Sequence, residues 1–236
     1  MEFTEVCVMS DLSVPTLPAR AVYVYEAPVR LWHWINATTI VALAVTGYLI
    51  GSPLPSVTGE ASEHYLMGTV RFIHFAAAYI FAIAFMVRVY WAIVGNGYAR
   101  ELFIVPVWRA EWWDDLKKSV RWYLLLDDKD VPHAGHNPAA QLAMFGLFVV
   151  GAIFMILTGF ALYSEGLGRG SWADLLFGWV IACMGQSQDV HTWHHLAMWW
   201  ILVFVVMHVY IAFREDVMSR QSSVSTMISG WRTFRD

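Results

Sequence analysis

Charge is what this chain has least of. Asp, Glu, Lys and Arg make up 14% of its 236 residues, whereas 58% are hydrophobic and 16% aromatic. Soluble domains carry about 25% charged residues. A chain with so little polar surface is an integral membrane protein, built as one bundle. The net charge of −4 adds little, because the charges are segregated by loop. Cysteine is nearly absent too. Cys7 and Cys183 lie far apart, which excludes a Cys-x-x-Cys pair, a c-type attachment site and a cysteine-held iron–sulfur cluster. Any metal centre must therefore rest mainly on histidine. No glycine-rich loop precedes a helix in a phosphate-binding context. No Ser–His–acid set can be placed, and nothing points to nucleic acid. The N-terminus lacks a basic start followed by an apolar core, so no cleavable signal peptide is expected. Residues 1–20 read as a flexible cytoplasmic lead to a single membrane domain, 21–236.

What the chain does have is long stretches without charge. None occurs between Arg30 and Glu60, or between Asp189 and Arg214. Together with two further apolar runs these predict spans at about 31–50, 70–94, 139–163 and 190–213. The expected fold class is all-α, a four-helix membrane bundle. Asn137 and Pro138 are placed to cap and open the third span. In VPVWRAEWWDDLKKSVRWYLLL, Trp108, Trp112, Leu116, Val120 and Leu124 recur every four residues. This predicts an amphipathic helix over about 107–126 lying on the membrane surface. The run 172–184 is too short to span. A faint echo links VTGYLIG (45–51) and LTGFALY (157–163).

Basic residues set the orientation. Arg100, Arg109, Lys117, Lys118, Arg121 and Lys129 cluster in the segment 95–138, and Arg214, Arg220, Arg232 and Arg235 in the tail. The connections near 51–69 and 164–189 carry only Arg71 and Arg169. Both termini and the middle loop are thus expected in the cytoplasm.

The fourth span carries His191, His194, His195 and His208, and ionisable groups at membrane depth point to function. His194 and His208 are 14 positions apart, about 40° from the same face and about 21 Å along the axis. One helix can therefore offer an imidazole at each of two levels, as two stacked b-type haems require. With the orientation fixed, His74 lies at the outer level with His194, and His33 at the inner level with His208. Bis-histidine ligation leaves the iron no open position, so such haems carry electrons. Gly47 follows His33 by 14 residues and could admit the outer haem, or serve ordinary helix packing. Arg88 follows His74 by 14 and could pair with an inner-haem propionate, or snorkel to the surface. His64, His133 and His136 read as loop or capping residues, with His136 also a possible proton donor near a quinone. His191 and His195 read as interfacial.

Two other readings remain. The HTWHH string also suits a membrane di-metal hydroxylase or desaturase, but those need several histidine boxes and no second one is present. Alternatively, the histidines pack without a cofactor in a structural anchor.

The strings EAPVRLWHW, TGYLIGSPLPS, GNGYARELFIVPVW, GHNPAAQLAMFG, LTGFALYSE, DVHTWHHLAMW, HVYIAFREDVMS and STMISGW resemble the b-type cytochrome subunit of membrane-bound nickel–iron uptake hydrogenases. The resemblance covers about 22–236. It implies a di-haem cytochrome b of the bacterial inner membrane, with axial iron ligands His33, His74, His194 and His208. It implies partners as well: the hydrogenase small subunit, whose C-terminal helix crosses the membrane beside this protein, and through it the large subunit. Electrons from the small subunit's iron–sulfur clusters would reach the outer haem, then the inner haem, then quinone. The outer loops would dock the small subunit. The chain would have no hydrogen-activating or other catalytic residue of its own.

Overall fold

The computed structural model describes residues 19–55, 58–60, 64–127, 133–219 and 222–235. It begins with a short strand, β1 (Ala19–Tyr23), which leads into the first long helix, α1 (Ala27–Gly51). Pro28 stands in the first turn, where a missing N–H leaves no partner unsatisfied. α2 (Leu66–Val94) stops at Gly95, and a short helix, α3 (Gly97–Arg100), follows with the Asn96 side chain accepting from the Ala99 amide. α4 (Ala110–Tyr123) is next. The third long helix is made of α5 (Pro138–Ala143), a π-helical turn (Met144–Val149) and α6 (Val150–Leu167). α7 (Trp172–Met184), α8 (Ser187–Met218), α9 (Ser223–Ser229) and β2 (Trp231–Arg235) complete the chain.

Among the described residues, four helices are long and apolar enough to cross a bilayer: Ala27–Gly51, Leu66–Val94, Pro138–Leu167 and Ser187–Met218. Each contains the expected span and extends it at one or both ends. Only 17–28% of their apolar windows is buried by protein, so the remaining apolar surface is left for lipid. The Asn137 side chain accepts from the Ala140 amide at 2.8 Å, the cap read from the sequence.

α1 and α2 form a helical hairpin, α8 touches both α1 and α6, and α7 folds back on α6. One apolar cluster joins all four spans. It takes Trp32 and Ile40 from α1, Phe81 and Phe85 from α2, Phe148 and Ala152 from the third span, and Ile201 and Phe204 from α8. At the π turn the Leu147 carbonyl accepts the Trp200 indole N–H of α8 at 3.0 Å. A π turn widens the helical ladder, and a neighbouring side chain supplies the donor.

Two features depart from the expectations. First, α4 does not bury its every-fourth-residue series. Four residues turn a helix by about 400°, so such a series drifts about 40° per step. The buried stripe is Trp112, Ser119 and Trp122, while Val120 and Leu124 are exposed and Trp108 precedes the helix. Two indoles fasten α4 to the bundle. Trp112 Nε1 donates to Gln141 Oε1 at 3.0 Å, and Trp122 Nε1 to Glu215 Oε1 at 2.8 Å. Second, β1 and β2 pair antiparallel, from Ala19 opposite Arg235 to Tyr23 opposite Trp231. Gly230, with φ +86°, offers its carbonyl to the amides of Val24 and Tyr25. Both ends of the described chain therefore lie on one face of the bundle. Residues 19 and 20, read as the end of a flexible lead, lie in β1; residues 1–18 of that lead fall outside the described residues.

Candidate functional site

His33, in the second turn of α1, and His208, ten residues before the end of α8, are brought together. Their ring centroids stand 6.2 Å apart with the planes at 52°. His208 lies face-on against Phe204, with centroids 5.7 Å apart and planes at 21°. Phe204 stacks in turn on Phe148, beside the π turn. The Nδ1 of His33 is buried and has no hydrogen-bond partner.

His74 and His194 line one cavity of about 940 Å³ between α1, α2, α6 and α8. Gly47, Gly51 and Gly159 line it too, together with Ala44 and Ala152. A Cβ added at Gly47 would come within 3.3 Å of His74 Cε1, and one at Gly159 within 3.3 Å of His194 Cε1. Each ring is held by a threonine of the neighbouring helix. Thr46 Oγ1 lies 2.9 Å from His74 Nδ1, and Thr158 Oγ1 lies 2.7 Å from His194 Nδ1. The two levels are joined by α8, on which the 14 residues from His194 to His208 rise about 21 Å.

The model of the prokaryotic cytochrome b561 family matches residues 24–230. The chain belongs to that family. It is 66% identical to a probable Ni/Fe-hydrogenase B-type cytochrome subunit of Azotobacter vinelandii, over 92% of this chain and 90% of the relative. A relative of the same description from Cupriavidus necator is 59% identical, over 92% of this chain and 89% of its own length. A probable Ni/Fe-hydrogenase 1 B-type cytochrome subunit of Escherichia coli K12 is 50% identical, over 90% and 91%.

A b-type cytochrome implies haem b, and the residues of this cytochrome fit that group at both levels. Two imidazoles that shared one metal ion, with metal–nitrogen bonds of about 2 Å, would have centroids roughly 6 Å apart. The His33–His208 spacing suits that geometry. At the His74–His194 level the cavity is of the size that takes a cofactor, of order 300–1,000 Å³, and glycine faces flank both rings.

Arg88 of this cytochrome does not snorkel. It is 3% exposed, its Nη2 donates to the Ala99 carbonyl at 2.7 Å, and its guanidinium rests over the rings of Trp32 and Phe103. Its Nε and Nη1 have no partner, and neither does the Trp32 indole N–H. A buried cation with two idle donors suits a carboxylate.

The remaining histidines divide. His64 and His191 are exposed, and His195 is half-buried in the lining of the His74–His194 cavity. His136 is tied into a polar cluster on the face where the chain ends meet. Its amide donates to Glu101 Oε2 at 2.8 Å, and its ring lies 3.3 Å from both that carboxylate and the Tyr25 hydroxyl. Burial, and then the Glu101 carboxylate, push the Tyr25 phenol well above its ordinary pKa. Among the described residues, no group of three or more His, Cys, Asp or Glu side chains is placed to hold a metal ion.

Reading the sequence missed Thr46, Thr158 and Gly159. The signal lay in the echo of VTGYLIG and LTGFALY: each repeat supplies one Thr–Gly pair, and each pair cradles one histidine of this cavity.

Proposed function

We propose that this cytochrome is a di-haem electron carrier. On this reading it anchors a nickel–iron hydrogenase to the bacterial inner membrane and delivers its electrons to quinone. The single observation that carries the reading is the pairing of four membrane histidines at two levels of one bundle. His33 and His208 hold the inner haem, and His74 and His194 the outer one. Haem held by these four imidazoles would supply one-electron exchange.

The chain's own residues position and insulate. Gly47 and Gly159 keep two helix faces flat against the outer rings. The idle Nε and Nη1 of Arg88 receive an inner-haem propionate. Phe204 and Phe148 exclude water from the inner pair. Electrons would enter at the His74–His194 pair and leave from the His33–His208 pair to quinone. His136, between Tyr25 and Glu101, would give the quinone a proton from the face where β1 and β2 pair, read as cytoplasmic. The names of the relatives support a hydrogenase partner. Its small subunit docks on the outer connections, which include α7, and carries the large subunit with it.

The test is a reduced-minus-oxidised optical spectrum of the membrane-embedded protein, with quantitative haem extraction. About two non-covalent b haems per chain are expected, and His33→Ala and His74→Ala should each remove one. Absence of haem in fresh membranes would refute the reading.

A further inference from the structure

We propose that Thr46 and Thr158 are positioning residues that hold the outer haem at a lower redox potential than the inner one. The proposal rests on the haem assignment above and adds a direction to it. Thr46 Oγ1 lies 2.6 Å from the Ala42 carbonyl and 2.9 Å from His74 Nδ1. Thr158 Oγ1 lies 2.7 Å from the Phe154 carbonyl and 2.7 Å from His194 Nδ1. A threonine hydroxyl has one hydrogen, and a carbonyl only accepts. Each hydroxyl therefore donates to the carbonyl four residues back and accepts from the imidazole. Both outer rings are thereby fixed with the hydrogen on Nδ1, which leaves the Nε2 lone pair bare for iron.

The glycine beside each threonine completes the device. A side chain at Gly47 or Gly159 would stand 3.3 Å from the Cε1 of the ring and crowd it by a few tenths of an ångström. The arrangement occurs twice, once on α1 and once on α6, with one Thr–Gly pair per ligand. The inner pair is held differently. His33 Nδ1 is buried without a partner, and His208 rests by its face on an aromatic ring.

A ligating imidazole whose N–H is hydrogen-bonded is the more basic ligand, and it favours ferric over ferrous iron. Two such ligands at the outer level, against an unbonded His33 at the inner level, order the potentials from outer to inner. One electron is lost at the outer pair and gained at the inner pair. No bond is made or broken, and every ring proton stays in place.

The test uses the whole hydrogenase–cytochrome complex in native membranes. T46V, T158V, T46S and T158S are compared by optical redox titration, low-spin ferric electron paramagnetic resonance and haem content. The valine variants should shift the lower-potential component upward and leave the higher one in place. The serine variants, which keep the hydroxyl, should titrate like the wild type. Loss of the outer haem in a valine variant but not in its serine counterpart also supports the proposal. It is overturned if valine and serine variants behave alike, or if valine moves the higher-potential component. H74A serves as the control. If H74A removes one haem while T46V moves nothing, the cradle is wrong and the haem assignment stands. If H74A removes none, the assignment itself fails.

Discussion

Replacing Arg88 with methionine should change sign between the haem-free and haem-loaded protein. In the haem-free chain the guanidinium is buried with one hydrogen bond, two idle donors and two aromatic faces. Its burial costs several kcal/mol, against which the Ala99 bond and the ring contacts return about 2–4 kcal/mol. An apolar side chain of similar length removes both sides of this balance, so thermal unfolding of haem-free R88M should be unchanged or slightly improved. In the loaded protein the variant also loses a charge-assisted contact to a carboxylate, about 1.5–3 kcal/mol. That corresponds to roughly 10- to 100-fold weaker retention of the inner haem. The assay is transfer of haem to an excess of a soluble acceptor, followed in the Soret band, with H33A and H74A to tell the two haems apart. Retention of the inner haem at wild-type strength, or selective loss of the outer one, would refute the reasoning.

Other perturbations have equally definite outcomes. Gly159→Ala places a methyl 3.3 Å from His194 Cε1 and should weaken outer-haem retention by about 1–2 kcal/mol, read by the same transfer assay. Trp122→Phe leaves the buried Glu215 carboxylate with one donor fewer, since Arg214 still reaches it. It should cost about 1–3 kcal/mol in thermal unfolding. Tyr25 predicts an alkaline effect, because its folded pKa is raised above the unfolded value. Below about pH 10 both states keep the phenol proton and pH has no effect through this residue. Above it only the unfolded chain releases the proton, so stability falls by up to about 1.4 kcal/mol per pH unit. Tyr25→Phe should make the alkaline slope of denaturant unfolding shallower by one proton; an unchanged slope would contradict the burial argument.

The four spans were legible in the sequence, because a bilayer tolerates neither charge nor unpaired backbone over such a length. So were the cap at Asn137 and the phase of His194 and His208, since helix geometry converts residue spacing directly into direction. The pairing of levels followed from antiparallel connections alone: α2 and α8 run one way and α1 the other, which leaves His33 opposite His208 and His74 near His194. The tertiary structure decided the rest. Which hydroxyl meets which imidazole depends on the rotation of neighbouring helices, which no single helix encodes. Thr46 therefore looks from its sequence like any small residue in a span, until His74 of α2 is set against it. The burial of Arg88 depends likewise on Trp32 and Phe103 arriving from α1 and the segment after α3. The pairing of β1 with β2 joins two five-residue segments from opposite ends of the chain, with no local pattern to announce it. Local periodicity fixes what a segment becomes; only packing fixes which side chains meet.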